Sequence, residues 1–148
     1  MRGHGYIGGY IISAFIASHE CIVVINRAAI ILRYKQPAIA WLNAVEAPPD
    51  GSELTAADTD HESTLYLIAP EDAETWDTVE EWVAINYQTL FEAELEAWYA
   101  DPALWPHDRG YPVFRDWFDI ECHTVLVDTV GTPILDEDDE EAPPYLDA

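Results

Sequence analysis

Basic side chains are scarce in this chain. Lys and Arg together number six against 29 Asp and Glu in 148 residues, a formal net charge of −23. Lys35 is the one lysine. Direct nucleic-acid binding is therefore not expected, because tracking a phosphate backbone needs Lys and Arg to displace counterions. Cysteine is also rare. Cys21 and Cys122 form neither a metal-binding pattern nor a CxxC pair. Both fall in apolar, strand-like runs, where a buried and inert thiol is expected. Reduced thiols and the lack of a good export signal place the chain in the cytoplasm.

Long hydrophobic runs are missing too. The apolar stretch Tyr6–Ala17 is too short to span a bilayer. As a signal peptide it fails on its cleavage site. A cut after Ala17 leaves the bulky Phe15 where a small residue is needed. Residues 1–20 are read as an N-terminal extension, poorly structured or outside the core. Gly3-His4-Gly5-Tyr6-Ile7-Gly8 matches GxGxxG as a string. No strand precedes it to set up a phosphate-holding turn, so the nucleotide reading is rejected. No GxSxG nucleophile motif occurs, and no cofactor is implied.

What is present is core material. Hydrophobic residues make up 49% of the chain, with six Trp, eight Tyr and four Phe. A single chain of this size buries about two-thirds of its unfolded surface and needs no metal or disulfide to hold it. One domain is expected over residues 21–131, followed by a disordered acidic tail over 132–148, a like-charge run with prolines.

Residues 21–34 are rich in β-branched side chains and read as a largely covered strand. Pro37 stands where a helix starts, and Ala38, Trp41, Leu42 and Val45 follow at helical spacing over 37–46. Thr55 and Asp58 resemble a capping pair for a short helical turn within 52–61. Residues 63–69 form a second strand, and a strand–helix–strand order favours a parallel pair with a right-handed crossover. Over 73–100, Trp76, Val79, Val83, Tyr87, Leu90, Phe91 and Leu95 recur at threes and fours. That stretch reads as one long amphipathic helix, or two with a break near Asn86. Pro112 restarts a short helix, and 119–130 form a third strand of open position. The result is an α+β fold in β-α-β-α-α-β order, a small sheet of three or more strands with helices packed on one face.

Few residues are candidates for chemistry. Asp119, Glu121 and His123 alternate along one strand and share a face. A carboxylate and an imidazole two residues apart can share a proton or ligate a metal, and His107 lies in a loop near enough in sequence to join them. The plainer reading is a polar sheet face, and no metal is expected. Arg27, Arg33, Arg109 and Arg115 are expected to pair internally with carboxylates, with an anion pocket as the sharper alternative. Arg109 and Arg115 join Trp105 as candidate partner or anion contacts. Trp105 sits in a proline-bearing loop and either anchors a partner or plugs a helix end, while the other tryptophans of 76–117 are mostly read as core. Glu92, Glu94 and Glu96 are read as a solvated helix face. Cys122 and His123, being adjacent on a strand, point apart and cannot act together.

The strings VINRAAIIL, KQPAIAWLNAV, ALWPHDR and FRDWFDIECHTVLVD resemble those of small acidic bacterial proteins with no assigned activity, over about residues 22–130. The resemblance implies a compact cytoplasmic α+β domain and supplies no catalytic residue. The sequence thus leans away from an enzyme. It points to a protein-interaction module with a basic partner. The alternatives are a small metal-dependent or hydrolytic enzyme built on Glu121 and His123, and a mimic whose carboxylates imitate nucleic-acid phosphates.

The acidity does not come mainly from the tail. Residues 132–148 hold seven acids, leaving 22 acids against six bases, or −16, on the rest. A scarcity of lysine beside many carboxylates is also the balance of proteins adapted to salty cytoplasm. Either way the folded part repels itself, and salt relieves the strain. Thermal stability should rise from low to high salt in the full chain and in a chain ending at Gly131. Each kcal/mol of relieved repulsion is worth about 3–5 °C at this size. A shortened chain that melts at one temperature in both salts would contradict this.

Overall fold

The computed structural model describes residues 23–45 and 49–138. The N-terminal extension, Cys21 and residues 139–148 of the tail lie outside the described residues. Residues 26–126 form one compact unit, and the described residues on either side of it group separately.

The chain runs β1 (Val23–Ile25), β2 (Ala28–Tyr34), α1 (Gln36–Val45), α2 (Ala56–His61), β3 (Leu65–Ile68), α3 (Trp76–Trp98), α4 (Tyr111–Trp117), β4 (Phe118–His123) and β5 (Leu126–Asp128). Short 3-10 turns, Pro70–Ala73 and Pro102–Leu104, precede and follow α3. The fold is α+β. Strands β3, β2 and β4 make a three-stranded sheet in that order, and β1 pairs with β5 in a separate two-stranded sheet.

The expected single strand over 21–34 is broken. Asn26 and Arg27 separate β1 from β2, and the Arg27 guanidinium donates back to the Asn26 carbonyl and amide oxygens at 2.8 and 3.0 Å. The stretch 119–130 breaks likewise, at Thr124 and Val125. The ladder places Ala29 opposite His123, so both interruptions fall at the same end of it.

The expected parallel pair is antiparallel. Leu65 faces Ile31 and Ile68 faces Ala28. The connection holds two helices, α1 and α2, where one was required for a crossover. A single helix carries the chain to the far end of the sheet. Two in succession bring it back to the end it left, and the returning strand runs the opposite way. β4 is also antiparallel to β2, from Ala29↔His123 to Tyr34↔Phe118.

Alternation then sorts the sheet into two faces. Ala28, Ile30, Leu32, Tyr34, Tyr66, Ile68, Phe118, Ile120 and Cys122 turn towards the core, where they meet Val79, Val83, Leu90, Phe91 and Leu95 of α3 and Phe114 and Trp117 of α4. α3 is uninterrupted. Asn86 spends its amide on the Trp82 carbonyl one turn back, at 2.8 Å, and makes no break. Thr75 caps the helix, accepting from Thr78 N at 3.1 Å while its own N–H donates to Thr78 Oγ1 at 3.0 Å. The Thr55–Asp58 capping box forms as expected, and the Thr55 bonds hold the Asp58 carboxyl below its usual range.

Phe91 lies at the centre of the aromatic core. Its ring is 5.7 Å from Phe114, 5.3 Å from Trp117 and 5.6 Å from Phe118, edge-on to the last. Phe91→Ala should cost about 3–5 kcal/mol, the range for a fully buried aromatic. It should lower the urea midpoint without changing the slope; a loss under 1 kcal/mol would contradict this placement.

Candidate functional site

The face of the sheet opposite the core carries the expected polar cluster. Asp119, Glu121 and His123 of β4 lie beside Arg33, Ile31 and Ala29 of β2. Arg33 Nη2 donates to Glu121 Oε2 at 3.0 Å, and its Nη1 lies 3.6 Å from Asp60 of α2. His123 Nε2 also donates to Glu121 Oε2, at 3.0 Å. These bonds, His123 first and Arg33 next, hold the Glu121 carboxyl below its usual range. Their contribution to stability is present above that range and fades as the pH falls through it. No hydrogen bond or ion pair joins His107 or Asp119 to Glu121 or His123. Among the described residues no three His, Cys, Asp or Glu gather as metal ligands. Glu121 is consumed by its two neighbours in an exposed ion-pair network.

The arginines divide. Arg33 and Arg115 pair with carboxylates, as expected, Arg115 with Glu80 of α3. The bond to Glu80 raises the Arg115 pKa further, and Arg115 Nη1 also donates to the Tyr111 hydroxyl at 3.3 Å. Arg27 and Arg109 make no ion pair among the described residues, contrary to the expectation that each would. Arg109 lies over the Trp105 ring, 5.7 Å from its centre, and donates to the Pro106 carbonyl at 2.6 Å. Trp105 is half-buried against the core, and its indole N–H donates to the Tyr99 carbonyl at 2.8 Å. It plugs the end of α3. The exposed tryptophan is Trp76, 53% exposed at the start of α3. Trp76 reads as core from its spacing with Val79 and Val83, but the structure buries Val79 and Val83 and leaves Trp76 exposed.

Glu94 overturns the solvated-face reading. Glu92 and Glu96 are exposed, while Glu94 is 5% exposed beneath the sheet. Its Oε2 accepts from the Tyr34 hydroxyl and its Oε1 from the Tyr66 hydroxyl, each at 2.7 Å. The Trp98 indole N–H donates to the Tyr34 oxygen at 3.0 Å. The signal was in the spacing. Leu90, Phe91, Glu94, Leu95 and Trp98 occupy one continuous stripe of α3, and the acid stands inside it.

An open depression of about 540 Å³ lies between α1 and the segment 53–56. Asn43 there donates to the Leu54 carbonyl at 3.1 Å and accepts from its N–H at 2.8 Å, so its amide is spent on holding that segment. Cys122 is a free, half-buried thiol whose pKa burial raises. No helix of the described residues is long and apolar enough to cross a membrane. The chain matches no known family model, no curated protein and no solved structure.

Burial, and then the charge and hydrogen bonds of Glu94, push both tyrosine pKa values well above the ordinary phenol value of 10.0. The unfolded chain therefore releases these protons first as the pH rises, and stability falls from about pH 10 upward. In an ultraviolet titration, Tyr34 and Tyr66 should ionise only as the protein unfolds, and Tyr34→Phe with Tyr66→Phe should remove that late step. Glu94→Ala should cost about 2–4 kcal/mol by orphaning two buried hydroxyls. Tyrosines that all titrate together with the fold intact would contradict the network.

Proposed function

We propose that this chain is a non-enzymatic, cytoplasmic protein-interaction module that docks on a basic partner. The observation that carries the reading is a charge left over after folding. From Gln36 to Asp108 the sequence holds seventeen acids and no Lys or Arg. Among the described residues, only Asp60 and Glu80 of these enter ion pairs with cations elsewhere in the chain. The rest have no internal counter-charge among the described residues. Where they crowd together, around the 3-10 turn and the first turns of α3, Glu71, Glu74, Asp77 and Glu81 are exposed around Trp76. An exposed indole with exposed carboxylates before and after it in the chain offers a basic surface both an apolar anchor and long-range attraction.

The test is affinity capture on the immobilised full chain from a cell extract at low salt, followed by a salt step. A small set of basic proteins should be retained in saturable amounts and released by salt. Trp76→Ala should weaken their capture by about tenfold, the scale of a hot-spot aromatic. Retention of nothing at low salt would defeat the proposal.

A further inference from the structure

The two outer strands of the three-stranded sheet are protected unequally. In β4, the acids Asp119 and Glu121 and the polar His123 occupy every second residue, and charge along an edge is a usual guard against unwanted pairing. β3 reads Leu65-Tyr66-Leu67-Ile68 and carries none. Its inward residues are accounted for: Tyr66 bonds to Glu94 and Ile68 is buried. Its outward residues are not, with Leu65 50% and Leu67 49% exposed. One edge of β3 pairs with β2, and among the described residues no strand pairs with the other. In an antiparallel ladder, alternate residues turn N–H and C=O away from the partner, so part of the β3 backbone faces outward unpaired. Acids bracket the strand. Glu62 precedes it, and Glu71 and Glu74 follow, all exposed.

We propose that the free edge of β3 is a strand-addition site for an extended segment of a partner protein, with apolar residues at alternate positions and Lys or Arg at its ends. Backbone pairing to β3 supplies the affinity, and Leu65 and Leu67 select apolar side chains on the outward face. The flanking carboxylates select the basic ends and set its placement. Tyr66 prepares the site, because its bond to Glu94 holds the strand against α3 before any partner arrives and lowers the ordering cost of binding. This inference rests on the interaction reading above and names what part of the partner is bound.

The probe is a short synthetic peptide of alternating Val and Thr flanked by lysine pairs, labelled for anisotropy, with the full chain at low salt. Saturable binding with slowed amide exchange in β3 is expected. The same peptide N-methylated on alternate amides should fail to bind. L65T/L67T, which keeps charge and strand propensity, should weaken the parent peptide by about tenfold while melting like the natural protein. Equal binding of the N-methylated peptide, or no loss in L65T/L67T, would overturn edge pairing and leave the charge-driven reading standing. No saturable binding of either peptide would remove both. Self-association that L65T/L67T abolishes would give the edge to a second copy and overturn the proposal.

Discussion

Glu94 is a carboxylate placed where a carboxylate is costly. An ionised acid taken out of water loses several kcal/mol unless hydrogen bonds replace its hydration. Here Tyr34 and Tyr66 each cover one oxygen, and Trp98 orders Tyr34 in turn. The four side chains come from β2, β3 and α3, so satisfying the acid ties three elements together. It also fixes register. A slip of one residue in β3 would turn Tyr66 to the outer face and leave a Glu94 oxygen bare. β3 has only four residues, so each side chain that fixes its register counts for more.

The same side-chain type behaves oppositely on the surface. There, ion pairs are few and exposed, and pairs of that kind contribute little. Apolar packing of α3 and α4 on the sheet must therefore outweigh a repulsion that the chain does little to neutralise internally. The aromatic cluster about Phe91 is a central part of that packing. The chain thus keeps its negative field outward, and that field is open to an external counter-charge.

Much of this was legible in the sequence. The apolar period of α3, Pro112 at the start of α4, the Thr55–Asp58 box and the β-branched run of β2 each announce themselves within a turn or two of chain. What was not legible depends on distant residues. Strand direction followed from whether 52–61 adds a second full helix, and that short polar stretch gives little periodic signal. The interruptions at Asn26–Arg27 and Thr124–Val125 carry no Gly or Pro, so nothing local marks them. Of the candidate residues, the Asp119–Glu121–His123 face was placed correctly by alternation. Its partners, Arg33 and Asp60, arrive from other elements, so no local pattern announces the ion pairs that Arg33 makes with Glu121 and Asp60. Trp76 reads as core by spacing yet is exposed, while of the two readings left open for Trp105 the structure has the one that packs it against the core.

The unequal edges of the sheet also bear on assembly. Continued growth by strand addition needs two receptive edges per molecule, one to extend and one to be extended. With charge along β4 and none along β3, an added strand finishes the sheet. Two copies meeting at β3 would close on each other as a pair. Filaments are the usual hazard of a bare apolar edge, and for this chain they would require pairing through the charged strand.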